Sequence, residues 1–163
     1  MDARLLPFCN VMIIIMVVMY NCKYFCIQEL VSKVVYDKYG DFCWRFFSDP
    51  FKQDLDIIRE YLDETLIIND WYFGGNHFTQ CGFRSNLDPI VRNKETLYCS
   101  AHCMGKAIDL HSYNNEKLWE VCRLLIEDGT LKAVKRLESQ EGTQNGWVHI
   151  DCLETPDGKL EIF

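Results

Sequence analysis

The sequence predicts a single α+β domain, a small antiparallel sheet with helices packed on one side. Three observations lead there. Clear 3.6-residue apolar periodicity marks the first half of the domain, short stretches of period-two alternation mark its second half, and 163 residues make one core comfortable and two cramped. At 48% hydrophobic and 13% aromatic, the chain can fill that core without help from disulfides.

The first 20 residues read as an apolar N-terminal extension, and residues 21–163 as the domain. "VMIIIMVVMY" (Val11–Tyr20) is continuously apolar but short for a membrane span, with only Arg4 ahead of it, offset by Asp2, and no small-x-small site after it. Three readings stay open: a weak signal or anchor, a buried strand or helix, or an extension upstream of a start at Met19. From Ile27 to about Phe47 the chain reads as helical, with a break at Gly40. "SDPFKQDLDIIREYLDE" is a clearer helix, capped by Ser48 or Asp49, with Pro50 in its first turn and Phe51, Leu55, Ile58 and Leu62 along one face.

"LIIN" (Leu66–Asn69) is a candidate buried strand. Residues 70–100 are irregular, and so long an irregular stretch in a compact domain is often functional. "KAIDL" alternates as a strand. "NNEKLWEVCRLLIEDG" is a second helix, capped by Asn114 or Asn115 and stopped by Gly129. "LKAVKRLES" and "GWVHIDC" complete the expected sheet.

Charge and cysteine content set bounds. A net charge of −7, with no basic run, excludes a nucleic-acid groove, which needs clustered Lys and Arg. The nine cysteines include no CxxC pair; they read mostly as reduced, partly buried small hydrophobes. A Cys/His structural site around Cys99, His102 and Cys103 is a rival, and it needs Cys81 or Cys152 as a further ligand.

The alternation of the strands singles out a candidate site. In "KAIDL" Ile108 and Leu110 face the core, which puts Asp109 on the open face. In "GWVHIDC" Val148 and Ile150 point inward, while Trp147, His149 and Asp151 share the open side. His102 sits at the turn before the first strand, and Gly105 allows a tight bend that brings its imidazole over Asp109. Two imidazoles and a carboxylate with an open fourth position are a common way to hold catalytic zinc. His77 and His111 read as loop or rim residues.

These residues also carry a resemblance. "SAHCMGKAID" (Ser100–Asp109), followed by "WVHID" (Trp147–Asp151), resembles the zinc-binding signature of the M15 family of peptidoglycan peptidases, which includes D-alanyl-D-alanine carboxypeptidases and phage endolysins. "GFRS" (Gly82–Ser85) is similar to that family's substrate-binding block. The resemblance covers roughly residues 67–151. It implies Zn2+ held by His102, Asp109 and His149, with Arg84 clamping the substrate. It also implies a phage or prophage protein that hydrolyses amide bonds in D-amino-acid-containing stem or cross-bridge peptides, as a carboxypeptidase or an endopeptidase. The expected protein is a monomer, released to the cell wall from an infected cell's cytoplasm, exported, or carried on the virion.

One element departs from the family pattern. The catalytic glutamate found in many members three residues before the last histidine is Gly146 here. Glu138, ending the strand "AVKRLE", is the first candidate for general base, and Glu141 the second. Asp151 is the candidate to support a ligand imidazole from behind. The alternative function is a metal-stabilised binding or structural module without turnover.

Overall fold

The computed structural model describes residues 19–141 and 146–163. The apolar residues before Met19, and the three readings of them, lie outside that range. Among the described residues, no helix is long and apolar enough to cross a membrane.

The helical opening is broken twice. Helix α1 (Ile27–Leu30) is followed by an extended Val31, which bridges Phe83, and α2 (Lys33–Tyr39) ends at Gly40, where φ is +52°. A 3-10 turn over Gly40–Phe46 then leads into α3 (Asp49–Leu62). The break at Gly40 matches expectation. The one at Val31 does not, because it depends on pairing with a residue 52 positions away.

Helix α3 starts where its cap predicts. Ser48 Oγ accepts from the Phe51 amide at 3.4 Å, with Pro50 in the first turn. Phe51, Leu55, Ile58 and Leu62 are buried as the periodicity requires. Its other face is not simply solvated. Asp54 accepts from the amides of Lys132, Ala133 and Val134 at 2.9, 2.7 and 2.8 Å. Asp56 accepts from the Tyr20 hydroxyl and the Lys23 and Tyr24 amides. Lys52 is fully buried, donating to the carbonyls of Tyr20 and Trp44 and pairing with Asp49. The helix thus ties down the N-terminal segment and the approach to the sheet through polar contacts.

Short α4 (Pro89–Arg92) lies in the irregular region, and α5 (Asn115–Glu127), capped by Asn114, packs on α3 and on the sheet. The sheet has the order β1-β3-β2-β4, with β1 Ala107–Leu110, β2 Arg136–Leu137, β3 Val148–Asp151 and β4 Glu161–Ile162. One hydrophobic cluster joins it to the helices, so the α+β class and the single domain hold.

Three details of the sheet differ from the sequence reading. The first three strands in spatial order pair antiparallel, but β4, which no alternation announces, adds parallel to β2. "LIIN" contributes one bridge only. Ile67 and His111 exchange backbone bonds, and then Asn69 turns to Glu29, Val31 and Cys81, drawing the chain off the sheet. "LKAVKRLES" pairs as a strand only at Arg136–Leu137, because Asp54 has taken the preceding amides.

Candidate metal centre

Strand register makes the site. Asp109 on β1 stands directly opposite His149 on β3. Glu138, just past β2, donates its amide to the His149 carbonyl at 3.1 Å. The Leu137–Ile150 pair faces the core, so the next row across the three strands, Asp109, His149 and Glu138, faces the other way. That face is not open, as alternation alone suggests. The irregular region lies over it: the Asp109 amide donates to the Cys81 carbonyl at 2.7 Å, and Asp109 is 7% exposed.

His102 arrives from that covering segment. A 3-10 turn over Ala101–Met104, capped by Ser100, presents it. The turn ends at Gly105, with φ +67°, where a Cβ would lie 2.0 Å from the Phe46 carbonyl oxygen. His102 Nδ1 donates to the Gly82 carbonyl at 2.8 Å. Since a carbonyl can only accept, Nδ1 carries a proton, and Nε2 is the ring nitrogen that faces Asp109. Gly82 is fixed as tightly as Gly105, since a Cβ there would sit 2.1 Å from the Leu30 carbonyl oxygen.

Three ligand atoms therefore converge. His149 Nδ1 is 2.7 Å from Asp109 Oδ1, and His102 Nε2 is 3.2 Å from each of them. Four-coordinate metal ions with N and O bonds of roughly 2.0–2.1 Å hold their ligand atoms about 3.3 Å apart. Two edges of this triangle have that length and the third is shorter, so the three groups fit around one ion with little movement. Among the described residues this is the group able to hold a metal, and it contains no cysteine. The Cys/His alternative gains nothing from this geometry: Cys22, Cys26, Cys43, Cys81, Cys99, Cys103, Cys122 and Cys152 are free thiols.

The surroundings tune the three ligands. Burial alone would raise the Asp109 carboxyl, but hydrogen bonds and charge from His102 and His149 outweigh it and hold the group well below the usual carboxylate range. Arg84 Nη2 closes on the other oxygen, Asp109 Oδ2, at 2.6 Å. Burial lowers His102. Burial also works against charge on His149, yet the Asp109 and Asp151 carboxylates prevail and push it up to about 9. Asp151 is buried behind that ring, with Oδ2 3.5 Å from His149 Nε2 and 3.4 Å from Arg136 Nη1, and it also accepts from the Leu153 amide. A carboxylate behind a ligand imidazole sets the ring's tautomer and orientation.

A cavity of about 280 Å³ lies over the three ligands, walled by Arg84, Ser100, Glu138, Trp147, Phe163 and Ile90. The Phe163 ring stands edge-on to His149 at 5.8 Å. Glu138 is half-buried, and no described residue pairs with its carboxylate. Glu141 is exposed and does not line the cavity. Arg84 is already engaged: Nε donates to the Gln80 carbonyl at 2.6 Å, Nη1 to the Tyr98 hydroxyl at 3.3 Å, and Nη2 to Asp109. His77 is exposed. His111 is buried away from the ligands, with Nδ1 donating to the Gly146 carbonyl and Nε2 beside Cys81 Sγ at 3.2 Å. Burial pushes the Cys81 thiol up to about 12, which keeps it protonated beside the imidazole.

Phe163 and Ile90 escaped the sequence reading. Neither sits in a motif, and both reach the cavity only through tertiary packing. Compared with protein-family models, curated proteins and solved structures, the chain matches none.

Proposed function

We propose that the chain is a zinc-dependent peptidase that hydrolyses amide bonds in D-amino-acid-containing peptidoglycan peptides, a phage or prophage protein acting in lysis or wall entry. The observation that carries the proposal is the meeting of His102 Nε2, Asp109 Oδ1 and His149 Nδ1 at ligand spacing. The residues that meet are those singled out by the blocks resembling M15 peptidases. Two imidazoles and one carboxylate are a donor set suited to zinc with a position left for chemistry. Bound zinc supplies Lewis acidity, which polarises a carbonyl and makes water a better nucleophile near neutral pH.

The other roles fall to the chain's own residues. Glu138, unpaired among the described residues and beside His149, takes the proton from the attacking water and delivers it to the leaving amine. Arg84 keeps Asp109 anionic and oriented. Three of its N–H groups have partners; a guanidinium has five, so two remain for a substrate carbonyl. Trp147 and Phe163 wall the cavity and limit water around the reacting bond.

The test is cleavage of purified muropeptides by the zinc-loaded chain. Glu138→Gln should lower kcat by about 10²–10⁴-fold while leaving zinc stoichiometry unchanged. An undiminished kcat would remove Glu138 from the mechanism. A second reading is favoured by one observation: Gly146 stands where many of the peptidases have their glutamate. On that reading the chain is a metal-stabilised binding module. Stoichiometric zinc with no cleavage of any stem or cross-bridge peptide would establish it in place of the peptidase.

A further inference from the structure

The cavity over the metal ligands is too small to hold a peptide. At about 280 Å³ it falls below the roughly 300–1,000 Å³ typical of pockets that enclose a small ligand, so it has space for the reacting amide and little more. Whatever flanks that amide must lie elsewhere on the surface. A second concavity, of about 550 Å³, shares Arg84 as a wall with the first.

Most of its other walls come from two segments, with Cys103 added from the turn that carries His102. Val35, Tyr39 and Phe46 belong to the helical opening, and Phe83, Val91 and Tyr98 to the irregular region after "GFRS". The rings are braced against one another: Phe46 lies 4.9 Å from Phe83 and receives Tyr39 edge-on at 5.6 Å. Tyr39 is still 44% exposed, so a ligand can reach the ring. Arg84 is the one ionised residue of this lining, and its charge is compensated by Asp109. The Tyr98 hydroxyl holds Arg84 Nη1 where the two concavities meet. Ser85 and Asn86 add neutral polar atoms.

We infer that this aromatic groove receives the stretch of substrate next to the scissile amide, and that it selects a neutral, extended peptide segment with small or apolar side chains. The inference rests on the peptidase reading above and adds a subsite to it. Continuity through Arg84 places the groove within reach of the reacting bond. The lining sets the chemistry: burying an ionised side chain among these rings, with no free opposite charge, is unfavourable, whereas aliphatic groups lose water and gain aromatic contact.

The experiment uses the zinc-loaded full chain and two neutral peptides that share one D-amino-acid-containing scissile bond. One is minimal, and the other is extended on both sides by small apolar residues. Tyr39→Ala strips the groove and Val91→Trp fills it; zinc stoichiometry and Tm check that each variant is folded. Both variants should raise KM for the extended peptide about tenfold, the scale of one lost aromatic contact, and leave kcat/KM for the minimal peptide unchanged. A glutamate placed in the extension should raise KM for the unaltered chain. Equal effects on the two peptides, or none on the extended one, would overturn the inference while leaving the peptidase reading intact. Cleavage of neither peptide removes the peptidase reading. The groove is then decided by an NMR titration with the extended peptide: shifts at Tyr39, Phe46 and Tyr98 uphold it, and their absence overturns it.

Discussion

His149 is the residue on which the site's pH behaviour turns. Its folded-state pKa of about 9 lies above the roughly 6.5 of a free histidine. In the metal-free protein the imidazolium's contribution to stability is therefore fully present below about pH 6.5 and lost as pH rises through 9. Asp109 has the opposite sense: its depressed pKa contributes stability above the free carboxyl's value of about 3.9, lost as pH falls further. Metal inverts the first dependence, since Nδ1 must lose its proton to bind. Zinc affinity measured by competition should rise with pH by about tenfold per unit until pH 9, then level off. A flat profile would mean that His149 does not exchange a proton for the ion. Asp151→Asn, which weakens the support behind the ring, should cost about 10–100-fold in zinc affinity with the fold retained.

Among the elements, α3 shows how a polar helix face can shape a sheet. Asp54 satisfies three successive amides and so determines where β2 begins. Asp54→Ala would leave those donors without their charged acceptor. A loss of about 3 kcal/mol in denaturant unfolding is expected, larger than for an exposed helix position. The 3-10 turn carrying His102 depends on the glycine that ends it. Gly105→Ala adds a methyl group against the Phe46 carbonyl in a left-handed conformation. Lower Tm and weaker zinc binding should appear together, because the same displacement moves the His102 ring. Separate responses would argue that the turn and the ligand are independent.

For the whole molecule, the candidate metal group is placed to act as a staple. It joins the covering segment at His102, β1 at Asp109 and β3 at His149. An ion that binds only the folded chain stabilises it by about 4 kcal/mol when its concentration is a thousandfold above Kd. Adding a chelator should therefore lower Tm by several degrees, reversibly. The far-UV spectrum should persist at 25 °C, since the core cluster is formed without the ion and Arg84 and His149 compensate the Asp109 charge. Loss of secondary structure on chelation would show that the metal is needed for folding itself.

How much was legible without the structure follows from range. Periodicity and capping are local, and they located α3 and α5 with their caps, and the buried face of α3. Alternation is equally local, and it placed Asp109 and His149 on the non-core face of their strands, which is why the metal group could be named in advance. Tertiary structure alone decided what depends on distant partners: the break at Val31, the single bridge left of "LIIN", the parallel edge strand β4, and the cover that buries Asp109. It also aimed Nδ1 of His149 and Nε2 of His102 at one point, engaged Arg84 with Asp109, and brought Phe163 and Ile90 to the cavity. Local pattern records which face a side chain takes; which groups meet across that face is set by register and loop packing, and those forces act between residues far apart in the chain.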